Sequence, residues 1–306
     1  MTQTNNVFII TLAIITLGYL IKKFDFVTEK DGKVISKFLM HTTFPALMIV
    51  STARIRFEPS LILSPILCIV LAGLMTLVGW FVFKSYPTQL RAILTMGCGG
   101  MNVGLFAFPI IEGIWGRDGL VYIAMFDIGN TIIVFGLVYT IGSYFATKGQ
   151  GKVSIKAILK KIASLPPLHG MIIGLSINAL DVEIPTIAFD FLDVLAKANK
   201  PLVLLLMGIY MSFELEKNIV WAISKVLAIR YLFGLIAVAL IYYLIPDASM
   251  YRNVILVCVV LPVGMTLLPF SDEFNFDSRI AGAMVNVSLL ISFALMWALV
   301  IGLKLV

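Results

Sequence analysis

The sequence is short of charge, of histidine and of cysteine, and each shortage closes off a class of function. Only 13% of its 306 residues are Asp, Glu, Lys or Arg, whereas 60% are hydrophobic. A soluble domain of this size needs far more polar surface. Two histidines, His41 and His169, stand far apart, and Cys68, Cys98 and Cys258 sit singly in apolar runs without CxxC spacing. Neither a disulfide framework nor a Cys–His metal site can be assembled from these residues. HExxH, P-loop and GxSxG patterns are missing too, so hydrolytic, metal-dependent and ATP-driven chemistry lacks its parts. We expect no enzyme, no cofactor and no metal.

What is present is apolar sequence in blocks. Ten candidate spans fall at roughly 7–22, 38–53, 60–83, 90–113, 119–146, 161–180, 186–213, 219–245, 252–271 and 279–303. Most are near the ~20 residues that cross ~30 Å of hydrocarbon as a helix. The chain therefore reads as an all-α polytopic membrane protein. Lys22 and Lys23 follow the first apolar run and no charge precedes it, the layout of a retained span rather than a cleaved signal.

Lysine and arginine are distributed unevenly. The connections after the odd-numbered spans hold most of them, including Lys22, Lys23, Lys84, Arg91, Lys156, Lys160, Lys225 and Arg279. The opposite face holds only Arg54, Arg56, Arg117, Arg252 and Lys304. Positive charge marks the cytoplasmic side, so both termini are expected outside and the central loop in the cytoplasm of a cell whose plasma membrane the chain crosses. The basic balance is then a topology signal, and no nucleic-acid partner is expected.

The two halves resemble each other weakly. Gly18 and Pro45 are matched by Gly174 and Pro201 at an offset of 156, and "VGLFAFPI" (103–110) by "VGMTLLPF" (263–270) at an offset of 160. "AMFDI" (124–128) lies over "AMVNV" (283–287) at a similar distance. Five spans per half make the second copy enter the membrane from the other side, an inverted repeat typical of secondary transporters. The expected division is residues 1–146 for the first repeat, a cytoplasmic linker at 147–160, and 161–306 for the second.

Within that frame "GCGGMNVGLFAFPI" (97–110) breaks the fourth span. Its glycines weaken a helix, and Pro109 removes a backbone donor. The counterpart "LPVGMTLLPF" (261–270) interrupts the ninth with Pro262, Gly264 and Pro269. Interrupted spans at matching places point to a transporter's binding site, where half-helix N-termini offer free N–H groups to an anion. The alternative is a GxxxG packing face with ordinary proline kinks.

"MNVGLFAFPIIEGIWG" resembles the fourth-span motif of the auxin efflux carrier family, with Asn102 seven residues before Pro109. "LPVGMTLLPFSDEF", "SLPPLHGMIIGLSINAL", "NKPLVLLLMGIYMS" and "LGYLIKK" resemble its ninth, sixth, seventh and first spans. Plant-type members carry a proline before the motif asparagine, where this chain has Met101, and many have a longer central loop; both differences weigh against auxin itself. The resemblance implies ten spans in two inverted five-helix repeats, with the broken fourth and ninth helices crossing. It also implies a scaffold of spans one, two, six and seven, and elevator-like movement of the rest. Asn102 would contact substrate, with Gly104, Pro109, Pro262 and Gly264 shaping the crossing.

Other polar residues lie inside spans. Asp127 and Asn130 share a helical face, and Asn286 is the repeat partner of Asp127. An intramembrane carboxylate is costly and usually functional, which makes Asp127 the candidate for ion coupling; a structural hydrogen bond is its alternative. Asn130 and Asn286 are candidate substrate ligands or interhelical glue. Lys197, Arg230 and His41 could attract an anion, or the lysine could snorkel to the interface. The expected partners are a small organic anion such as malate, malonate or an auxin-like acid, a coupling proton or sodium ion, and the lipid bilayer, with a homodimer left open. The competing readings are a symporter or antiporter of the bile-acid or cation–proton type and, more remotely, an intramembrane receptor or enzyme.

Overall fold

The computed structural model describes residues 2–54, 60–147, 155–211, 217–245, 247 and 249–306. Half of the expected linker at 147–160, residues 148–154, lies outside the described residues. The rest is helix, joined by short turns and two extended segments.

The first half comprises α1 (Thr2–Lys23), α2 (Glu29–His41), α3 (Thr43–Thr52), α4 (Ser60–Val82), α5 (Thr88–Gly99), α6 (Phe108–Thr131) and α7 (Tyr139–Ala146). Wider π turns at Val103–Ala107 and Ile132–Val138 precede and follow α6. The second half comprises α8 (Ile155–Ala163), α9 (Pro166–Ala179), α10 (Thr186–Tyr210), α11 (Lys217–Leu244), α12 (Met250–Cys258), α13 (Leu267–Glu273) and α14 (Ser278–Gly302). Local sequence explains several boundaries. Thr28 and Asp31 form a reciprocal capping box that starts α2. Asp277 caps α14 by accepting from the Arg279 N–H.

Among the described residues, six helical stretches are long and apolar enough to cross a membrane: Asn5–Lys23, Glu29–Thr52, Leu61–Val82, Val103–Ala146, Ile219–Leu244 and Ser278–Gly302. Physical reasons separate this set from the ten expected spans. α10 carries Asp190, Asp193, Lys197 and Lys200, α9 has only 14 residues, and α5 and α12 stop early. The expected second span starts sooner, at Glu29. The fourth and fifth expected spans meet at Gly116, whose φ of 65° and ψ of −153° turn the chain inside α6. Only glycine takes that conformation without strain.

The helices form two packed sets. α1, α2, α3, α9 and α10 pack on one another, and α4 to α7 pack with α11 to α14. α6 reaches across to α1, α3 and α10. In the first set, glycines let helix backbones touch. Gly18 lies against the Leu205 backbone and Gly174 against that of Ile49; adding 156 to 18 and 49 gives 174 and 205, so the two contacts exchange. Gly208 against Ile15 and Thr52 against Met171 exchange in the same way. Thr43 and Asn199, which are 156 apart, are buried and bonded to each other at 2.8 Å.

Candidate functional site

Two helices end inside the second set. α5 stops at Gly99 and Gly100 is extended, with φ −63° and ψ 144°; α12 stops at Cys258. Their continuations cross antiparallel, with Met101 bridged to Val263. The Asn102 N–H donates to the Pro262 carbonyl at 3.0 Å, and the Gly264 N–H to the Gly100 carbonyl at 3.0 Å. A Cβ at Gly264 would lie 3.2 Å from the Met101 carbonyl oxygen, a tight contact that glycine avoids. Pro109 does not interrupt the helix. The π turn at Val103–Ala107 runs through it into α6 without a change from helical backbone.

Side chains satisfy the backbone exposed by these interruptions. Asn130 brackets Met101: its Oδ1 accepts from the Met101 N–H at 2.9 Å and its Nδ2 donates to the Met101 carbonyl at 3.1 Å. The same Nδ2 reaches Asp127 Oδ1 at 3.1 Å. On the other segment, Ser288 Oγ accepts from the Val263 N–H at 2.9 Å and Ser292 Oγ donates to the Val260 carbonyl at 2.7 Å. Tyr231 joins this group, donating to the Ser288 carbonyl at 2.7 Å. Such pairing is what makes non-helical backbone tolerable inside a bundle.

Arg230 binds the end of α5 and the extended segment that follows α12. Its Nη1 donates to the carbonyls of Gly97, Cys98 and Gly100 at 3.0–3.1 Å. Its Nη2 donates to those of Leu261 and Pro262 at 2.9 and 3.0 Å. The residue is only 2% exposed.

A cavity of about 760 Å³ lies between the two helix sets, beside the crossing. Its wall carries Asn102, Gly104, Asp127, Asn130, Thr131 and Thr266, with Met40, Met48, Met101, Met171 and Met265. Glu29, Lys33 and Asp272 stand at its exposed mouth. Asn102 Nδ2 is buried there without a hydrogen-bond partner. The first N–H groups of the π turn at Val103–Ala107 have no acceptor within their own helix. Asn102, the first residues of this turn and Asp127 thus line one cavity.

The remaining expected residues divide. Pro262 and Gly264 build the crossing, and Pro109 the helix after it; none is part of the cavity wall. Asn286 is buried on α14, away from the wall. Lys197 is largely exposed and pairs with Asp193 at 2.9 Å, and His41 Nδ1 bonds the Lys37 carbonyl on the exterior. Neither lies on the cavity, and Arg230 spends its charge on carbonyl oxygens instead of facing open space. Ser288, Ser292 and Tyr231 escape sequence reasoning. The one available signal is the pair of hydroxyls four apart in an apolar span, a pattern for interhelical bonding.

Comparison with known sequences finds relatives along nearly the whole chain. The family described as "Membrane transport protein" matches residues 4–301. An uncharacterized transporter of Methanothermobacter thermautotrophicus is 23% identical over 286 residues, covering 92% of each chain. An uncharacterized transporter of Methanocaldococcus jannaschii is 24% identical over 294 residues, covering 92% of this chain and 93% of its own.

Proposed function

The chain belongs to the membrane transport protein family, the auxin efflux carriers that its motifs resemble, and from that premise we propose that it is a secondary transporter of a small organic acid. It is a multi-pass membrane protein. The observation that carries the substrate class is the buried, unpartnered Asn102 Nδ2 on the cavity wall. A buried donor without an acceptor costs roughly 1–3 kcal/mol, and a carboxylate or carbonyl oxygen of the substrate would supply the missing partner. Free N–H groups at the start of the π turn add to the same attraction.

Asp127 then acts as the coupling group. An anion and the Asp127 carboxylate repel at this range, so the acid binds best when Asp127 holds a proton. Binding of the two is thereby linked, which is the requirement for proton-coupled movement.

Ten spans in two inverted repeats are part of this reading. It is supported by the exchanged contacts at 156 and by the bond between Asn102 and Pro262, residues 160 apart. α1, α2, α3, α9 and α10 serve as the scaffold, and the other set moves against it as an elevator. The charge bias puts the cavity mouth, with Lys33, on the cytoplasmic side.

Purified protein in liposomes tests the proposal. Under an imposed proton gradient it should accumulate at least one of a panel of labelled mono- and dicarboxylates that includes malate and malonate. Inert liposomes across the panel would overturn the substrate class.

A further inference from the structure

We infer that Arg230 is a tethered cation, occupying the carbonyl cage in which a crossover of this kind could otherwise hold an exchangeable sodium ion. The inference rests on reading 100–102 and 259–266 as the transport centre. It concerns which ion that centre can take.

Each helix C-terminus carries roughly half a negative charge on its unsatisfied carbonyls. The ends of α5 and α12 converge at the crossing, and carbonyls there are the groups that coordinate sodium in transporters with unwound helices. Here five of them, on Gly97, Cys98, Gly100, Leu261 and Pro262, lie within 2.9–3.1 Å of the Arg230 terminal nitrogens. No carboxylate among the described residues forms an ion pair with Arg230, so these carbonyls are its counter-charge. One positive charge against the half-charge at the end of α5 and the carbonyl dipoles of Leu261 and Pro262 leaves no net negative charge on the carbonyl side.

The opposite end is affected too. The π turn at Val103–Ala107, which runs on into α6, presents an N-terminus on the cavity side of the first segment. With the carbonyl side offset by Arg230, this positive end is left uncancelled, and the cavity favours an anion. Arg230 touches no wall of the cavity, so it is a positioning residue that sets ion selectivity through the backbone.

The test uses thermal unfolding of the purified chain, which needs no substrate. Arg230→Ala empties the cage, so guanidinium or sodium at tens of millimolar should raise its Tm by about 3 °C or more, whereas wild type should gain from neither. In liposomes under a fixed proton gradient, replacing sodium with choline should leave wild-type uptake unchanged, Arg230→Ala should lose at least about tenfold in rate (about 1.4 kcal/mol on the barrier), and guanidinium should restore part of it. A saturable sodium-dependent rise in wild-type Tm would overturn the inference. So would an Arg230→Ala protein that folds and transports like wild type, with no response to either cation. If Arg230→Ala cannot be purified, the wild-type sodium titration decides alone. Liposomes that transport nothing, together with cation-stabilised Arg230→Ala, would sink the organic-acid proposal and leave this one standing.

Discussion

The Asn102 N–H and the Pro262 carbonyl are joined at 3.0 Å, tying together two segments 160 residues apart in sequence. Because the backbone of Asn102 makes this bond, its side chain is released from structural duty. Its Nδ2 stays buried on the cavity wall with nothing to donate to.

Asn102→Ala should therefore separate function from stability. Losing a donor to a charged oxygen costs about 1.5–3 kcal/mol, so KM for the transported acid should rise by roughly 10- to 100-fold. Tm should hold or rise slightly, since the removed amide nitrogen has no partner to lose. Uptake kinetics and thermal unfolding of the same preparation check both halves.

Asp127 provides the pH prediction. Its carboxylate repels an anionic substrate, so acidifying the side that the cavity faces should tighten wild-type binding, and raising the pH should weaken it. Asp127→Asn keeps a neutral group within reach of Asn130 and should show an apparent KM that no longer varies with pH. A retained wild-type profile in this variant would remove Asp127 from the coupling step.

The glycine contacts predict opposite signs for like substitutions. A methyl group at Gly208 would run into the backbone of Ile15 and Tyr19, and one at Gly174 into that of Ile49. Alanine at either should destabilise by about 1–3 kcal/mol through overpacking. Gly73, inside α4, has open space where a methyl would go. Gly73→Ala should be neutral or stabilising by up to about 1 kcal/mol. Denaturation in one detergent, read by helical signal, ranks the three.

Arg117, just past the Gly116 turn, is ion-paired with Asp193 on α10, joining the two helix sets. Lys22 bonds the Met211 carbonyl near the cavity mouth, so Asp193 lies roughly 25 Å along α10 toward the other end. In the elevator movement proposed above, this pair opens in every cycle. Arg117→Gln and Asp193→Asn should each change the transport rate by less than about fivefold, as partly exposed pairs are worth about 0.2–1 kcal/mol. The double variant should do no more than either single. Additive effects would show that the pair does not act as a latch.

Much of the helix punctuation is legible because glycine and proline act locally. The break after α5 and the turn at Gly116 fall where glycines cluster, and α12 stops four residues before Pro262, whereas the start of α9 at Pro166 differs from the span expected from 161. The chemistry of the crossing is less legible. Arg230 meets Gly97 and Pro262 only through the fold, 133 residues one way and 32 the other, and no spacing announces that pairing. Asn130 looks like a ligand in sequence and works as a bracket for the Met101 peptide. Lys197 and His41 have the right charge for an anion path, but the sequence does not say which face of a helix meets the cavity. α10 has the length and place of the expected span at 186–213, and its four charges alone keep it out of the set of apolar helices.

The five methionines around the cavity bear on what the carrier can tolerate. Methionine is unbranched and polarizable and fits irregular shapes with little strain. Donors near Asn102 can read the acidic head of a cargo molecule with some precision, while thioethers adjust around whatever hangs from it. A congeneric series of acids with growing hydrocarbon tails should then be carried with graded rates instead of a sharp cutoff, strict at one end of the molecule and forgiving at the other.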